Sequence, residues 1–412
     1  MSPLIADAHS LAAWRCTAPL RPSQHRAICQ AMALDAFKWD GQVGDVTTLA
    51  DFAVVLPKSM WRELERLAEA LAAELVAAET ELASRPDLWR ELGLPALVRK
   101  ALRGVEPWTP AAARVVRIDL HPTAEGWRLS EANSDVPGGY TEASIFPVLM
   151  AAHADGAVPA GNPTTVLCDA LVRRAQENGR VALLTAPGYT EDQQVVAHLA
   201  AALRARGTSA ACVRPEQLQW QTGMAHVVGP SGPEPVDVIF RFYQGEWMTR
   251  ISGGEWRFLF RGGRTAVCNP AAAVLSESKR LPLLWNELST AMPTWRRLMP
   301  STQSVRATHG KEDWVLKRSY SNNGDSVLSR RWSGTRDYAL AFTHGHIAPA
   351  QWAAQQWFET LPLETPAGLM RPCLGVYVVD GRACGIYGRL TAFPLIDYRA
   401  IDTPVLVEDE TT

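Results

Sequence analysis

Two short runs, RVVRIDL at 114–120 and WRLSEAN at 127–133, carry the residues best suited to chemistry. Both read as β-strands, and the HPTAEG between them is short enough for a hairpin turn. Side chains two apart on a strand share a face. Arg117 and Asp119 therefore point the same way on the first strand, and Glu131 and Asn133 do so on the second. Val116, Ile118 and Leu120 take the opposite side and are expected to pack on the core. Two carboxylates and an amide suit Mg²⁺, a hard ion that leaves coordination positions for phosphate and water. Arg117 beside them suits a phosphate or a substrate carboxylate. The alternative is a hairpin with one solvated polar face.

A second candidate is Lys317, inside the apolar stretch WVLKRS. A buried ammonium needs an anion; an edge-strand lysine that snorkels to water is the alternative. The loop that follows, SYSNNGDS, is small and polar, the type whose backbone N–H groups can cover phosphates. Neither a P-loop nor a G-x-G-x-x-G fingerprint is present. Lysine is scarce: only positions 38, 58, 100, 279, 311 and 317 carry it among 41 Lys and Arg. Against 43 Asp and Glu, the net charge is -2, which argues against a polyanion surface and so against nucleic acid as a partner.

These residues need a scaffold, and 412 residues suffice for several domains. Residues 1–105 read as a mainly helical region. Its strongest helix runs from an N-cap at Ser59 to about Ala83, with Leu64, Leu67, Leu71, Leu75 and Leu82 on one stripe. The turn EPWTP (106–110) opens a segment at 106–160 that holds the hairpin. Residues 161–270 read as α/β, with strands VALLT, DVIFRFY and TAVCNP and a helix at EDQQVVAHLAAALRARG. In 271–404, helices are expected at SESKRLPLLWNEL and PAQWAAQQWF, a strand at WVLKRS, and a hairpin at LGVYVVDGRACGIYGRL turning on Asp380-Gly381. Residues 405–412 are expected to be a disordered tail. The seven scattered cysteines form no C-x-x-C and read as reduced thiols. Neither a signal-peptide pattern nor an apolar run of roughly 18 residues occurs, so a cytoplasmic protein without membrane contact is expected.

RVVRIDLHPTAEGWRLSEANSDVPGGYTEAS resembles the R-x-D…E-x-N-x-D-x-P segment of glutathionylspermidine synthases and their relatives. NPAAAVLSESKRLPLLWNEL, WVLKRSYSNNGDSV, QWAAQQWFETLPL and GVYVVDGRACGIYGRL are similar to that family's later segments. The resemblance spans about residues 35–400 and covers the synthetase part only. It implies an α+β, circularly permuted ATP-grasp fold with an inserted α/β preATP-grasp-like substrate domain. It also implies an ATP-dependent ligase joining a small-molecule or peptide carboxylate to an amine, which could be a polyamine, with ATP and Mg²⁺.

Residue by residue, the resemblance places Mg²⁺ on Asp119, Glu131 and Asn133, and catalytic arginines at Arg117 and Arg389. ATP would contact Lys279, Lys317, Ser321, Asn322, Asn323 and Gly324, with an adenine hinge among Gln355, Gln356, Trp357 and Phe358. Substrate would meet Asp135, Gly138 and Gly139. The family's hydroxyl residues for glutathione are missing from Val136–Gly139, however. Glu191 and Asp192 fall near an acidic pair that the family uses for a cationic amine, and equally suit the first turn of a helix. The rival reading is a homologue that has lost ligation and binds a nucleotide or peptide. Which acid, which amine and which oligomeric state apply is not legible here.

Overall fold

The computed structural model describes residues 13–43, 46–103, 111–230, 232–252, 254–261, 263–308, 313–321, 327–397 and 399–409. The EPWTP turn lies outside them. The expected hairpin forms from the strands Val115–Thr123 and Gly126–Asn133. They join a largely antiparallel sheet in the order Ile401–Thr403, Arg382–Thr391, Gly368–Val379, Val115–Thr123, Gly126–Asn133. The second hairpin turns where expected, with Asp380 and Gly381 both at positive φ.

One face of this sheet is covered by the 26-residue helix Lys58–Ala83. The helix forms because its leucines recur on one stripe. Leu64, Leu71 and Leu75 are fully buried in the same core as Val116, Ile118 and Leu120, and each buried leucine contributes about 1.5–3 kcal/mol. Its cap is Pro57, whose carbonyl accepts the Met60 and Trp61 N–H groups. Ser59, expected as the cap, therefore sits inside the first turn. Because the helix occupies the apolar face, Arg117 and Asp119 must face the other way.

The α/β part is a four-stranded parallel sheet in the order Ala266–Cys268, Val238–Phe242, Arg180–Thr185, Ser209–Val213, with the helix Thr190–Arg204 after its first strand. A smaller antiparallel sheet, Thr302–Gln303, Trp352–Gln356, Trp314–Arg318, Val327–Ser329, carries Lys317. The helix Thr335–Ile347 packs on it through Tyr338 and Ala341.

Three expectations are corrected. PAQWAAQQWF is not one helix: Pro349–Gln351 is a single 3₁₀ turn and Trp352–Gln356 is a strand paired on both sides. Its Trp352 and Ala354 alternate into the core beneath Thr335–Ile347, so sheet pairing overrides the helix preference of Ala and Gln. SESKRLPLLWNEL breaks into the end of the short helix Ala273–Ser276 and a 3₁₀ turn, Leu281–Leu284, because Pro282 cannot continue a helix. Residues 405–408 are not a disordered tail. Val405–Glu408 is a strand between Val54–Leu56 and Ala157–Pro159, with Val405, Leu406 and Val407 buried. The N-terminal region is thus tied by strand pairing to the end of the chain. Residues 410–412 lie outside the described residues.

Among the described residues, no helix is long and apolar enough to cross a membrane. Deleting residues 404–412 should lower the thermal midpoint, since it exposes the partners of three buried aliphatic side chains worth about 1.5–3 kcal/mol each. Calorimetry that finds the midpoint unchanged would contradict the stabilising role of this strand.

Candidate functional site

The hairpin register sets Arg117 opposite Asn133 and Asp119 opposite Glu131. All four therefore stand on the sheet face away from the long helix, as their spacing predicted. Asp119 is fully buried and paired twice. Arg117 reaches it through Nε at 2.8 Å and Nη2 at 3.0 Å, and Arg389 through Nη2 at 2.6 Å. Asn133 Nδ2 donates to the same carboxylate at 3.2 Å. Burial works to raise the Asp119 pKa, but the two guanidiniums hold it well below the usual carboxylate range.

Lysines from two separate segments meet the hairpin's other strand. Lys279 Nζ lies 3.5 Å from Glu131 and 3.1 Å from Glu277, and donates to the Ser321 carbonyl at 3.3 Å. Lys317 Nζ donates to the Ser130 carbonyl at 2.9 Å. Burial lowers the pKa of Lys317 to about 8 against the pull of Glu131. At Lys279 the same burial is outweighed by Glu131 and Glu277, and its pKa is raised. Lys317 is thus the less compensated cation, and a second anion beside it would stabilise its charged form.

Beside Lys279, a narrow gap of about 20 Å³ between the large and small sheets is lined by Glu131, Lys279, Leu281, Trp295, Met299 and Gln355. Of the four expected hinge residues, only Gln355 lines it. Gln356 is exposed, Trp357 packs toward Trp332 with ring centroids 6.5 Å apart, and Phe358 meets the His121 ring at 5.3 Å. Trp295 and Met299 escaped the sequence reading because a short helix, Pro293–Leu298, delivers them from a segment with no motif. Asn322, Asn323 and Gly324 lie outside the described residues.

The residues expected to meet substrate divide. Asp135 is buried in an ion pair with Arg241, and its Oδ2 also accepts the Gly245 N–H at 2.7 Å. Its carboxylate is committed to internal partners. The Gly138 carbonyl accepts from Arg117 Nη1 at 2.6 Å and from the Tyr377 hydroxyl. Gly139 has φ +94° and lies against the Tyr387 ring, which a side chain there would strike. Glu191 and Asp192 occupy the first turn of Thr190–Arg204. Burial and then Glu191 raise Asp192 to about 7. Tyr189, just before them, packs on Trp247 at 5.6 Å, and Trp247 belongs to the same turn as Gly245. The acidic pair therefore flanks the turn that braces Asp135.

The model of the family described as glutathionylspermidine synthase preATP-grasp matches residues 18–408. The chain belongs to this family. Among solved structures, it is similar to a glutathione synthetase-like effector (GSS30) from Globodera pallida in apo form. The TM-score is 0.62 at 13% identity, covering 94% of this chain and 97% of that one. That likeness shows a shared fold. A putative gamma-glutamylcysteine synthetase from Methylobacillus flagellatus KT matches at a TM-score of 0.45 and 12% identity, over 81% of this chain and 87% of that one. No curated protein matches this chain significantly.

The residues expected to hold Mg²⁺ are two carboxylates and an amide, the donor types of a hard cation. In this structure the Asp119 oxygens accept from Arg117, Arg389 and Asn133 Nδ2, whose place a cation would have to take. Asp119 and Glu131 are directly opposed across the ladder, where like charges repel, and each is held in its ionised form only by neighbouring cations. Among the described residues, no three acidic, His or Cys side chains converge as a closed metal site would need. Two carboxylates and one amide leave the remaining positions to phosphate and water, as Mg²⁺ sites in nucleotide enzymes do.

Asp119→Ala would leave two buried guanidiniums without their shared carboxylate. It should destabilise the protein by about 3–5 kcal/mol, the usual result of removing one partner of a buried pair. Asp119→Asn should cost less, and urea titration of both variants measures the difference.

Proposed function

We propose that the chain is an ATP-dependent ligase that joins a carboxylate to an amine. The observation that carries the reading is the convergence of Lys279 and Lys317, from segments far apart in sequence, on the strand paired with that of Arg117 and Asp119, where Arg389 also reaches Asp119. The four cations meet three carboxylates, Asp119, Glu131 and Glu277, which leaves one positive charge uncompensated and suits an entering phosphate. Family membership supports a ligase-type activity.

In this reading the nucleotide base sits beside Leu281, Trp295, Met299 and Gln355, where the gap of about 20 Å³ must widen to admit it. Lys279 and Lys317 orient the phosphates. Asp119, Glu131 and Asn133 would hold Mg²⁺, which when bound supplies charge neutralisation at phosphate oxygens. A substrate carboxylate oxygen attacks the terminal phosphorus, and the bond to the ADP oxygen breaks, giving an acyl-phosphate. Arg117 and Arg389 offset the charge on the group being transferred. The amine then attacks the acyl carbon, phosphate leaves with the bonding pair, and the amine gives up its proton as the amide forms. Phosphoryl transfer of this kind is mainly positioning and electrostatics, so no nucleophilic side chain is required.

The order of parts supports the permuted ATP-grasp reading: the hairpin at 115–133 precedes both lysines. The missing hydroxyl residues at Val136–Gly139 and the internally committed Asp135 argue for an acid other than glutathione. Glu191 and Asp192 are proposed to face a cationic amine such as a polyamine; Asp192 would carry its full charge only above about pH 7.

Millimolar Mg-ATP should raise the thermal midpoint of the purified protein, because a ligand that binds the native state stabilises it. An unchanged midpoint would count against a nucleotide site. A screen of acid–amine pairs, read by release of ADP and phosphate, should find a productive pair; nucleotide binding with no turnover on any pair would favour the non-catalytic reading. With a productive pair, Lys317→Ala should lower kcat by about 10²–10³, as for loss of one preorganised charge-stabilising group. Near-normal ADP release by that variant would refute its role.

A further inference from the structure

Arg117 and Arg389 come from different strands, yet both converge on Asp119, and two residues between them explain how. The sheet register puts Asp119 opposite Gly375, and Gly375 opposite Tyr387. The three form one row across three strands, on the face that carries the charged residues. Gly375 leaves a gap in that row. A Cβ there would lie 2.8 Å from Arg117 Cδ and 2.9 Å from Asp119 Oδ1. The Arg117 side chain thus lies in the space that any other residue would fill.

Tyr387 is the wall beyond the gap. The guanidinium carbons of Arg117 and Arg389 stand 5.3 and 5.2 Å from its ring centroid, within cation–π range. The ring is itself immobilised. Its hydroxyl donates to Asp402 Oδ1 at 2.7 Å. Asp402 Oδ2 lies 2.9 Å from Lys38 Nζ, a buried ammonium also in contact with Asp40 at 2.8 Å and Glu142 at 2.5 Å. Gly139 closes behind the ring, where a Cβ would come within 2.7 Å of it. A cluster tied to the N-terminal segment therefore fixes the surface on which both guanidiniums rest.

We infer that Tyr387 and Gly375 are positioning residues that present Arg117 and Arg389 as a pair to the terminal phosphate of the nucleotide. Gly375 provides the space through which Arg117 reaches the centre, and Tyr387 sets the direction of both planes. This rests on the nucleotide reading of the cleft. Neither residue carries a charge or touches the lysines, so its effect should be confined to the part of the nucleotide that the arginines meet.

The test compares dissociation constants for Mg²⁺–AMP-PNP and Mg²⁺–ADP, by calorimetry, in the wild-type chain and in Tyr387→Phe, Tyr387→Leu and Gly375→Ala. The wild type should hold the triphosphate analogue more tightly than the diphosphate. Tyr387→Leu and Gly375→Ala should each lose about tenfold in AMP-PNP affinity with ADP affinity within about twofold, because guanidinium contacts are misaligned while the lysines remain. Tyr387→Phe keeps the ring and should lose no more than about threefold in AMP-PNP affinity.

A merely structural role would weaken both nucleotides together, and that result overturns the inference. So does an unchanged ratio in Tyr387→Leu and Gly375→Ala, or a wild type that binds the two nucleotides equally. A wild type that binds neither sinks the nucleotide reading itself, a distinct outcome. Should Tyr387→Leu fail to fold, Gly375→Ala decides, since its backbone lies outside the left-handed region.

Discussion

The carboxylate of Asp119, buried between two guanidiniums, is the interaction on which the centre of this protein depends. An ionised carboxylate without partners could not stay charged at that depth. Arg117 and Arg389 keep it charged, and it keeps them aimed into one small volume. Because Arg117 and Asp119 share one strand and Arg389 comes from another two places across the sheet, with Gly368–Val379 between them, their meeting requires these three strands to be in register. That register in turn requires the apolar face beneath the long helix. The leucine stripe of Lys58–Ala83 and the charges above the sheet are two sides of one constraint.

The same balance extends sideways. Glu131 faces Asp119 and would repel it, but Lys279 and Lys317 arrive from elsewhere in the chain to offset the second charge. The centre is thus built from mutually compensating ions, of which Glu131, Glu277 and Lys279 also line the gap beside it. Such a centre is costly to assemble, and a guanidinium pairs with a phosphate in the same geometry as with a carboxylate. Charge at the core of the site therefore links its stability to its proposed chemistry. The glycines Gly139 and Gly375 provide the close approaches that charged side chains alone could not arrange.

How much of this was legible in sequence varies with range. The hairpin was legible because period-two alternation and a short turn are local signals, and the shared face of Arg117 with Asp119 follows from pleating alone. Three of the four parallel strands were legible as short apolar runs and the long helix by its leucine stripe, while Ser209–Val213 was not read. Trp352–Gln356 was not, since its strand character comes from partners on both sides that local propensity does not see. The strand at Val405–Glu408 was missed because its partners lie more than two hundred residues away. Asp135 was placed against substrate by resemblance, while the distant Arg241 that occupies it carries no local signal. Tyr387 likewise has no motif of its own, and its importance comes from what the fold stacks on it.

By itself, the sequence determined the chemistry on offer: opposed carboxylates, an amide, an arginine beside them, and lysines scarce enough for each buried one to need a reason. Those properties follow from residue type and short-range periodicity, which the chain carries in any context. Only the tertiary structure decided which cations meet which anions. The pairing of Asp119 with Arg389, the approach of two remote lysines, and the gap at Gly375 are contacts across strands and between segments. Their geometry is set by sheet register and core packing, and these exist only when the whole chain is folded.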